Sequence, residues 1–251
     1  MSEIIQSLWI GNKLGIMEQL SIKSFLDNGH TYHLYCYNPI ENIPKGAILK
    51  DASEIVPCSE IFTYKNGSYA AFANYFRFHM LYEKGGYWVD TDVVCMKPLI
   101  INDPIAFATE PHANYIDNRV TSFLIKLPKH SEEAKEAIKI QKTHKILVSK
   151  GKLRWSSSVI TIKHIVEKFK LDKYIKDWRL FCSCYYGDAK SLVDKNYKCN
   201  INAIKDINAF TNKTMIIHMW NEVWRRNKMD KSKKYSDDCL FEQLKRKYNI
   251  N

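Results

Sequence analysis

A chain of 251 residues, 45% hydrophobic and 26% charged, has ample apolar material for one large core, and 9 Gly with 7 Pro argue against long flexible linkers. No stretch of 18 apolar residues is present, which excludes a membrane-spanning helix, and the seven cysteines show no zinc-site spacing. The net charge of +11 calls for an anionic partner, whether nucleic acid, a membrane surface or a phosphorylated small molecule.

Part of that charge is local. Between Arg225 and Asn251 there are nine Lys/Arg and four Asp/Glu, a surplus of five. A run of this kind reads first as a solvated C-terminal helix and second as a peripheral contact with anionic lipid. Met1 to Gln6 lacks the basic segment and apolar run of a signal peptide, so reduced thiols and a cytoplasmic protein, in places peripheral at the inner membrane face, are expected.

In chain order, Ile4 to Ile10 is an apolar run ending at Gly11 and reads as a strand. Met17 to Asn28 reads as a helix stopped by Asn28-Gly29, and Tyr32 to Tyr37 as a second strand broken by Asn38-Pro39. Strand, helix and strand in about thirty residues predict a βαβ unit and a parallel sheet. Ala47 to Pro57 reads as connection. From Tyr69 to Lys84 the pattern is helical, with Phe72, Phe76 and Met80 on one stripe. Gly85-Gly86 ends that helix. Tyr87 to Asp90 is extended and Val93 to Leu99 is a second apolar run. Further strands are expected at Thr121 to Leu127 and Thr214 to His218. Helices are expected at Ser131 to Val148 (capped by Ser131), Val159 to Lys168 and Cys239 to Tyr248.

The chemistry concentrates at residues 74 to 92. Asp90 and Asp92, one residue apart on an extended segment, project to the same side and can reach one divalent ion. Hard oxygen ligands favour Mg2+ or Mn2+, which keep open positions for phosphate oxygens. A departing diphosphate develops negative charge that such an ion stabilises. Asn74 and Arg77 lie three residues apart on one helix face that leads into Gly85-Gly86 and the Asp90-Thr91-Asp92 triplet. A strand end is also where open α/β sheets bind ligands.

Tyr69 to Arg77 (YAAFANYFR), followed by Leu81 to Asp92 (LYEKGGYWVDTD), resembles the sugar-binding DxD region of family 32 glycosyltransferases. That group includes yeast mannosyltransferases, Golgi α1,4-galactosyl- and N-acetylglucosaminyltransferases and bacterial capsule enzymes. The clostridial glucosylating toxins share the pattern. Leu8-Trp9-Ile10-Gly11 matches the first strand of these proteins, and Asp51-Ala52 recurs before the helix. The likeness is strong over residues 4 to 99 and thin beyond.

The resemblance implies a GT-A fold: a single Rossmann-like α/β domain over 1–251 with a mixed, mainly parallel central sheet. Residues 1–100 would form the nucleotide-sugar half, 101–224 the acceptor-side half and 225–251 a basic helical tail. It implies that Trp9 stacks on the nucleotide base beside Ile10 and Gly11, that Arg77 contacts the donor sugar or its phosphate, and that Gly86, Asp90 and Thr91 lie along the donor. Asp90, Asp92, Arg77 and Asn74 would form the catalytic group. Asn74 stands where the family commonly has Asp, which keeps a carbonyl acceptor but loses the charge. His218-Met219-Trp220 matches the family's C-terminal His-x-Trp segment. His218 would thus join Asp90 and Asp92 at the metal or meet the phosphate, with Trp220 and Asn221 on a loop near the leaving group that excludes water.

The implied reaction is metal-dependent transfer of a hexose or N-acetylhexosamine from a UDP-sugar, with Mn2+ or Mg2+. The acceptor would be a saccharide or lipid-linked saccharide, in surface polysaccharide or capsule synthesis, with retention of configuration. Two rival classes are weaker. A nucleotidyl- or phosphotransferase would share the paired Asp, but no GxxxxGK(S/T) loop is present. A nucleic-acid module would explain the charge, but the chain has no helix–turn–helix, zinc-finger or RNP signature, so no nucleic-acid partner is expected.

Overall fold

A computed structural model describes residues 3–111, 118–153, 157–182, 184–194 and 214–250. Among them, the central element is a six-stranded sheet in the order β3-β2-β1-β4-β7-β6. Its strands are β1 (Ile4–Trp9), β2 (Thr31–Cys36), β3 (Ile48–Asp51), β4 (Gly86–Val89), β6 (Ala106–Pro111) and β7 (Asn118–Leu127). β3, β2, β1 and β4 run parallel, β7 runs against β4, and β6 runs against β7. Two further strands, β5 (Val93–Cys95) and β8 (Ile216–His218), form a separate antiparallel pair.

Helix α1 (Ile16–Asp27) links β1 to β2 and covers one sheet face, giving the βαβ unit that the apolar pattern predicts. α2 (Ala70–Lys84), α3 (Glu132–Ser149) and α4 (Ser157–Phe169) cover the other face. Strand alternation divides the core between the two faces. Tyr87 and Val89 of β4 join Ile5, Phe25 and Leu34 on the α1 side, while Trp88 joins Phe72, Phe76 and Met80 on the α2 side. Ser131 caps α3 by accepting from the Ala134 N–H, as its position before two glutamates predicts.

Two expectations need correction, and one strand, β6, was not anticipated. Ala47 to Pro57 is not plain connection. It contains β3, a short and largely exposed edge strand whose polar lysine and aspartate hide it from a periodicity reading, and a helical turn at Ala52–Glu54. β6 was not legible because a short apolar run beside Pro104 has no distinguishing period. The C-terminal stretch is also no solvated tail. Leu240, Phe241, Leu244 and Tyr248 are buried, and Tyr248 Oη donates to the Cys95 carbonyl at 2.5 Å. Its cations are largely paired: Arg225 and Arg226 with Glu222, Lys231 with Glu18, Lys245 with Glu242, and Arg246 with Asp237. No helix among the described residues is long and apolar enough to cross a membrane. Cys199 lies outside the described residues; the other six cysteines are free thiols.

His79 on α2 gives the fold a pH dependence. Its ring packs 4.5 Å from Tyr75, and its buried Nε2 has no hydrogen-bond partner. Burial pushes its pKa down to about 4, with Lys142 adding to the effect. The unfolded chain therefore binds a proton near pH 6.5 that the folded chain refuses until about pH 4. The stabilisation is complete above pH 6.5 and is lost as pH falls from there toward 4. For a part-exposed ring, about 1–2 kcal/mol is expected. Urea titrations at pH 7.5 and 4.5 should show wild type losing that much more stability than His79→Phe.

Candidate active site

The site forms where the strand order reverses. From β1 the chain moves outward through β2 and β3, then returns to lay β4 on the other side of β1. A crevice therefore opens beyond the carboxyl ends of β1 and β4. Trp9 and Ile10 lie at the end of β1 and Asp90 follows β4, all on the wall of a cleft of about 580 Å³.

The two aspartates are not on an extended segment, as alternation assumed. Asp90 still belongs to the ladder, its N–H donating to the Phe123 carbonyl at 2.8 Å, but Thr91 and Asp92 form a turn. The chain then leaves the sheet as β5. Both carboxylates nevertheless line the same cleft, because the turn carries Asp92 across to β8.

Each aspartate has its own partners. Asp90 Oδ1 accepts from Arg77 Nη2 at 2.9 Å and from Trp88 Nε1 at 2.7 Å. Arg77 is no surface ion-pair residue: it is 3% exposed, gives Nη1 to the Ser122 carbonyl at 2.5 Å and lies over the Trp88 ring at 4.9 Å. Burial raises the Asp90 pKa above the ordinary carboxylate value, with the Arg77 charge opposing. Asp92 Oδ2 accepts from the Asn221 N–H at 2.9 Å and faces His218 Nε2 at 3.3 Å. Burial pushes Asp92 upward, but the charge and hydrogen bond of His218, with the Asn221 amide, outweigh it and hold the carboxyl below its usual value. His218 is the mirror case: burial pulls it down and Asp92 raises it above its ordinary value. Its ring sits between Phe123 at 4.6 Å and Trp220 at 4.0 Å.

The loop after β8 shapes this corner. Met219 N–H donates to the Asp92 carbonyl at 2.8 Å. Trp220 adopts φ 59°, ψ 49°, a left-handed conformation uncommon for a large side chain. Its indole N–H donates to the Cys184 carbonyl at 2.8 Å, and Asn221 opens a short helix, Asn221–Arg226.

Of the residues singled out from sequence, the cleft gathers Trp9, Ile10, Asn74, Arg77, Asp90, Thr91, Asp92, His218, Trp220 and Asn221. Two do not line it. Gly86 lies at the opposite end of β4 from Asp90, where a Cβ would meet Gln6 Nε2 at 3.4 Å. Gly11 instead makes room for Trp9, whose indole Nε1 would be 3.1 Å from a Cβ there and donates to the Lys13 carbonyl. Among the described residues no group of three His, Cys, Asp or Glu side chains is arranged to hold a metal. His218 lies against Asp92 in this structure, Nε2 to Oδ2 at 3.3 Å. Sequence reading missed Trp88, although strand alternation places it on the side of Asp90. It also missed Glu110, Arg119, Thr121, Ser122 and Ser158, which line the cleft from β6, β7 and α4 with no local motif.

Residues 18–111 match the family model described as the glycosyltransferase sugar-binding region containing DXD motif. The matched stretch includes the Asp90-Thr91-Asp92 triplet and the helix that leads into it. The chain has the GT-A fold. A solved structure of the galactosyltransferase LgtC in complex with donor and acceptor sugar analogs is similar over 98% of this chain and 94% of that one, at 10% identity and a TM-score of 0.50. GlyE of Streptococcus pneumoniae TIGR4 is similar over 100% of the chain, which spans 65% of GlyE, at 12% identity and TM-score 0.49. The PaToxG glycosyltransferase is similar over 69% of this chain and 72% of its own, at 16% identity and TM-score 0.48. No curated protein sequence matches the chain.

Proposed function

We propose that this protein is a glycosyltransferase that, acting as a single domain over residues 1–251, transfers a hexose or N-acetylhexosamine from a UDP-sugar to a hydroxyl of a saccharide or lipid-linked saccharide in surface-glycan synthesis. The observation that carries this reading is the placement of Asp90 and Asp92 at the switch point of the sheet, facing a cleft walled by Trp9 and Arg77.

A divalent cation, Mn2+ or Mg2+, fits the donor set. Asp90 uses Oδ1 for Arg77 and Trp88, and Oδ2 accepts no hydrogen bond among the described residues, while Asp92 stays ionised beside His218. Two carboxylates suit an ion whose other positions belong to phosphate oxygens, water and a further side chain such as His218. When bound, such an ion neutralises charge developing on the departing diphosphate.

The remaining work falls to the chain's own residues. Trp9 offers an indole face for a base, and Asn74 presents amide donors and an acceptor to sugar hydroxyls. Arg77 fixes the Asp90 rotamer and adds positive charge at the cleft floor. Trp220 and His218 cover the Asp92 corner and exclude water from it. Retention by same-face attack is supported by the state of the other cleft carboxylates: Glu110 is paired with Arg119, and Glu222 with Arg225 and Arg226. Among the described residues neither is poised as a base, which favours passage of the acceptor proton to the leaving phosphate oxygen.

A panel of UDP- and GDP-sugars with Mn2+, read as nucleotide release, tests the proposal. UDP release from at least one donor, abolished by a chelator, is expected. Release from none, or thermal stabilisation by an oligonucleotide and not by UDP with Mn2+, would overturn it.

A further inference from the structure

Asn221 is held at both ends. Its backbone N–H donates to Asp92 Oδ2 at 2.9 Å, and its side-chain Oδ1 accepts from Lys231 Nζ at 3.0 Å. The same ammonium pairs with Glu18 Oε1 at 2.9 Å. Glu18 is 1% exposed in the first turn of α1, a position where a carboxylate without a cation would be costly. The chain makes room for it: a Cβ at Gly15 would stand 2.6 Å from Glu18 Oε2. An N-terminal helix and a C-terminal segment more than two hundred residues later are thus joined through one ammonium, directly behind the residue that donates to the DxD motif.

We propose that Glu18 and Lys231 are positioning residues: they lock Asn221 so that its amide holds Asp92 in the orientation needed at the donor site. Three features support this. Lys231 is half-buried and its partners lie on separate elements, so the pair joins the post-β8 loop to α1. Asn221 follows Trp220, whose left-handed backbone needs external support to persist. Met219, just before it, holds the Asp92 carbonyl, so residues 219 and 221 together clasp the aspartate's backbone and side chain. The basic C-terminal segment is in this respect part of the site.

The inference rests on the proposed role of Asp92, and its test has an arm that does not. In amide hydrogen exchange on the metal-free full chain, Lys231→Met should speed exchange across residues 219–226 about tenfold, as loss of a charge-assisted contact implies, and leave β1 and α2 unchanged. Unchanged exchange there would overturn the proposal whatever the enzyme's activity. In the activity arm, Lys231→Met, Glu18→Gln and Asn221→Ala should each raise the Mn2+ concentration for half-maximal nucleotide release about tenfold. Lys231→Arg should restore most of the loss. Lys231→Met added to Asn221→Ala should bring no further change, because both act through one contact. Effects that multiply in the double variant would show that Lys231 does not act through Asn221. Glu18→Gln, isosteric with the native side chain, provides the reading if Lys231→Met fails to fold.

Discussion

Asp92→Asn should lower nucleotide release by about 10²–10³-fold, the equivalent of roughly 3–4 kcal/mol of leaving-group stabilisation, while leaving the protein folded. Asparagine has the same shape, and its carbonyl can still accept the Asn221 N–H that Asp92 Oδ2 receives. What it removes is the charge. His218, buried and raised in pKa by Asp92, then loses its counter-charge, and the cleft loses one of the two anions that face the donor. The expected result is loss of kcat with a small change in melting temperature and an unchanged far-UV spectrum. Equal release by wild type and variant would remove the metal assignment. A collapse of the melting temperature by more than about 10 °C, roughly 3 kcal/mol for a chain of this size, would instead assign Asp92 a structural role.

Gly85→Ala should produce the largest stability loss of any conservative change, about 3 kcal/mol or more. Gly85 sits at φ 67°, ψ −168°, a region essentially reserved for glycine. A Cβ there would stand 2.6 Å from the backbone N of Lys129 and 3.0 Å from its Cα. Backbone cannot swing aside as a long side chain can, so the strain must move either α2 or the segment leading into α3. The Gly85 carbonyl also accepts from the buried Gln6 Nε2 at 2.7 Å, which anchors the turn to β1. Because Arg77 lies upstream and Asp90 downstream of this turn, activity should fall with stability. Gly29→Ala is the control: φ is 83°, with nothing within 4 Å of its Cβ, so only the backbone cost of about 1 kcal/mol applies. Thermal unfolding of both variants measures the difference; equal losses would show that close approach to Lys129 does not matter.

The two variants divide along the line between what the sequence determined and what the tertiary structure decided. Sequence alone determined β1, α1, β2 and α2, because apolar periodicity is a local property and the Asn28-Gly29 and Gly85-Gly86 stops lie beside the elements they end. It also brought the candidate site residues together for the same reason: Asn74, Arg77, Asp90 and Asp92 fall within nineteen residues on a helix, a turn and a strand end. The tertiary structure decided everything carried by contacts between distant segments. Trp88 and Arg77 share one oxygen of Asp90, Glu110 and Arg119 line the far wall, and Lys231 reaches Glu18 across the chain. His218 was legible as a candidate, but its contact with Asp92 was not, since that contact depends on β8 lying antiparallel to β5. The conformation of the DxD motif differs from the one expected. A strand gives two aspartates one face by alternation, whereas here a turn and a second sheet bring both to the cleft. Backbone hydrogen bonds from Asp90 N–H to the Phe123 carbonyl and from Met219 N–H to the Asp92 carbonyl decide that geometry, and neither partner is a sequence neighbour of the motif.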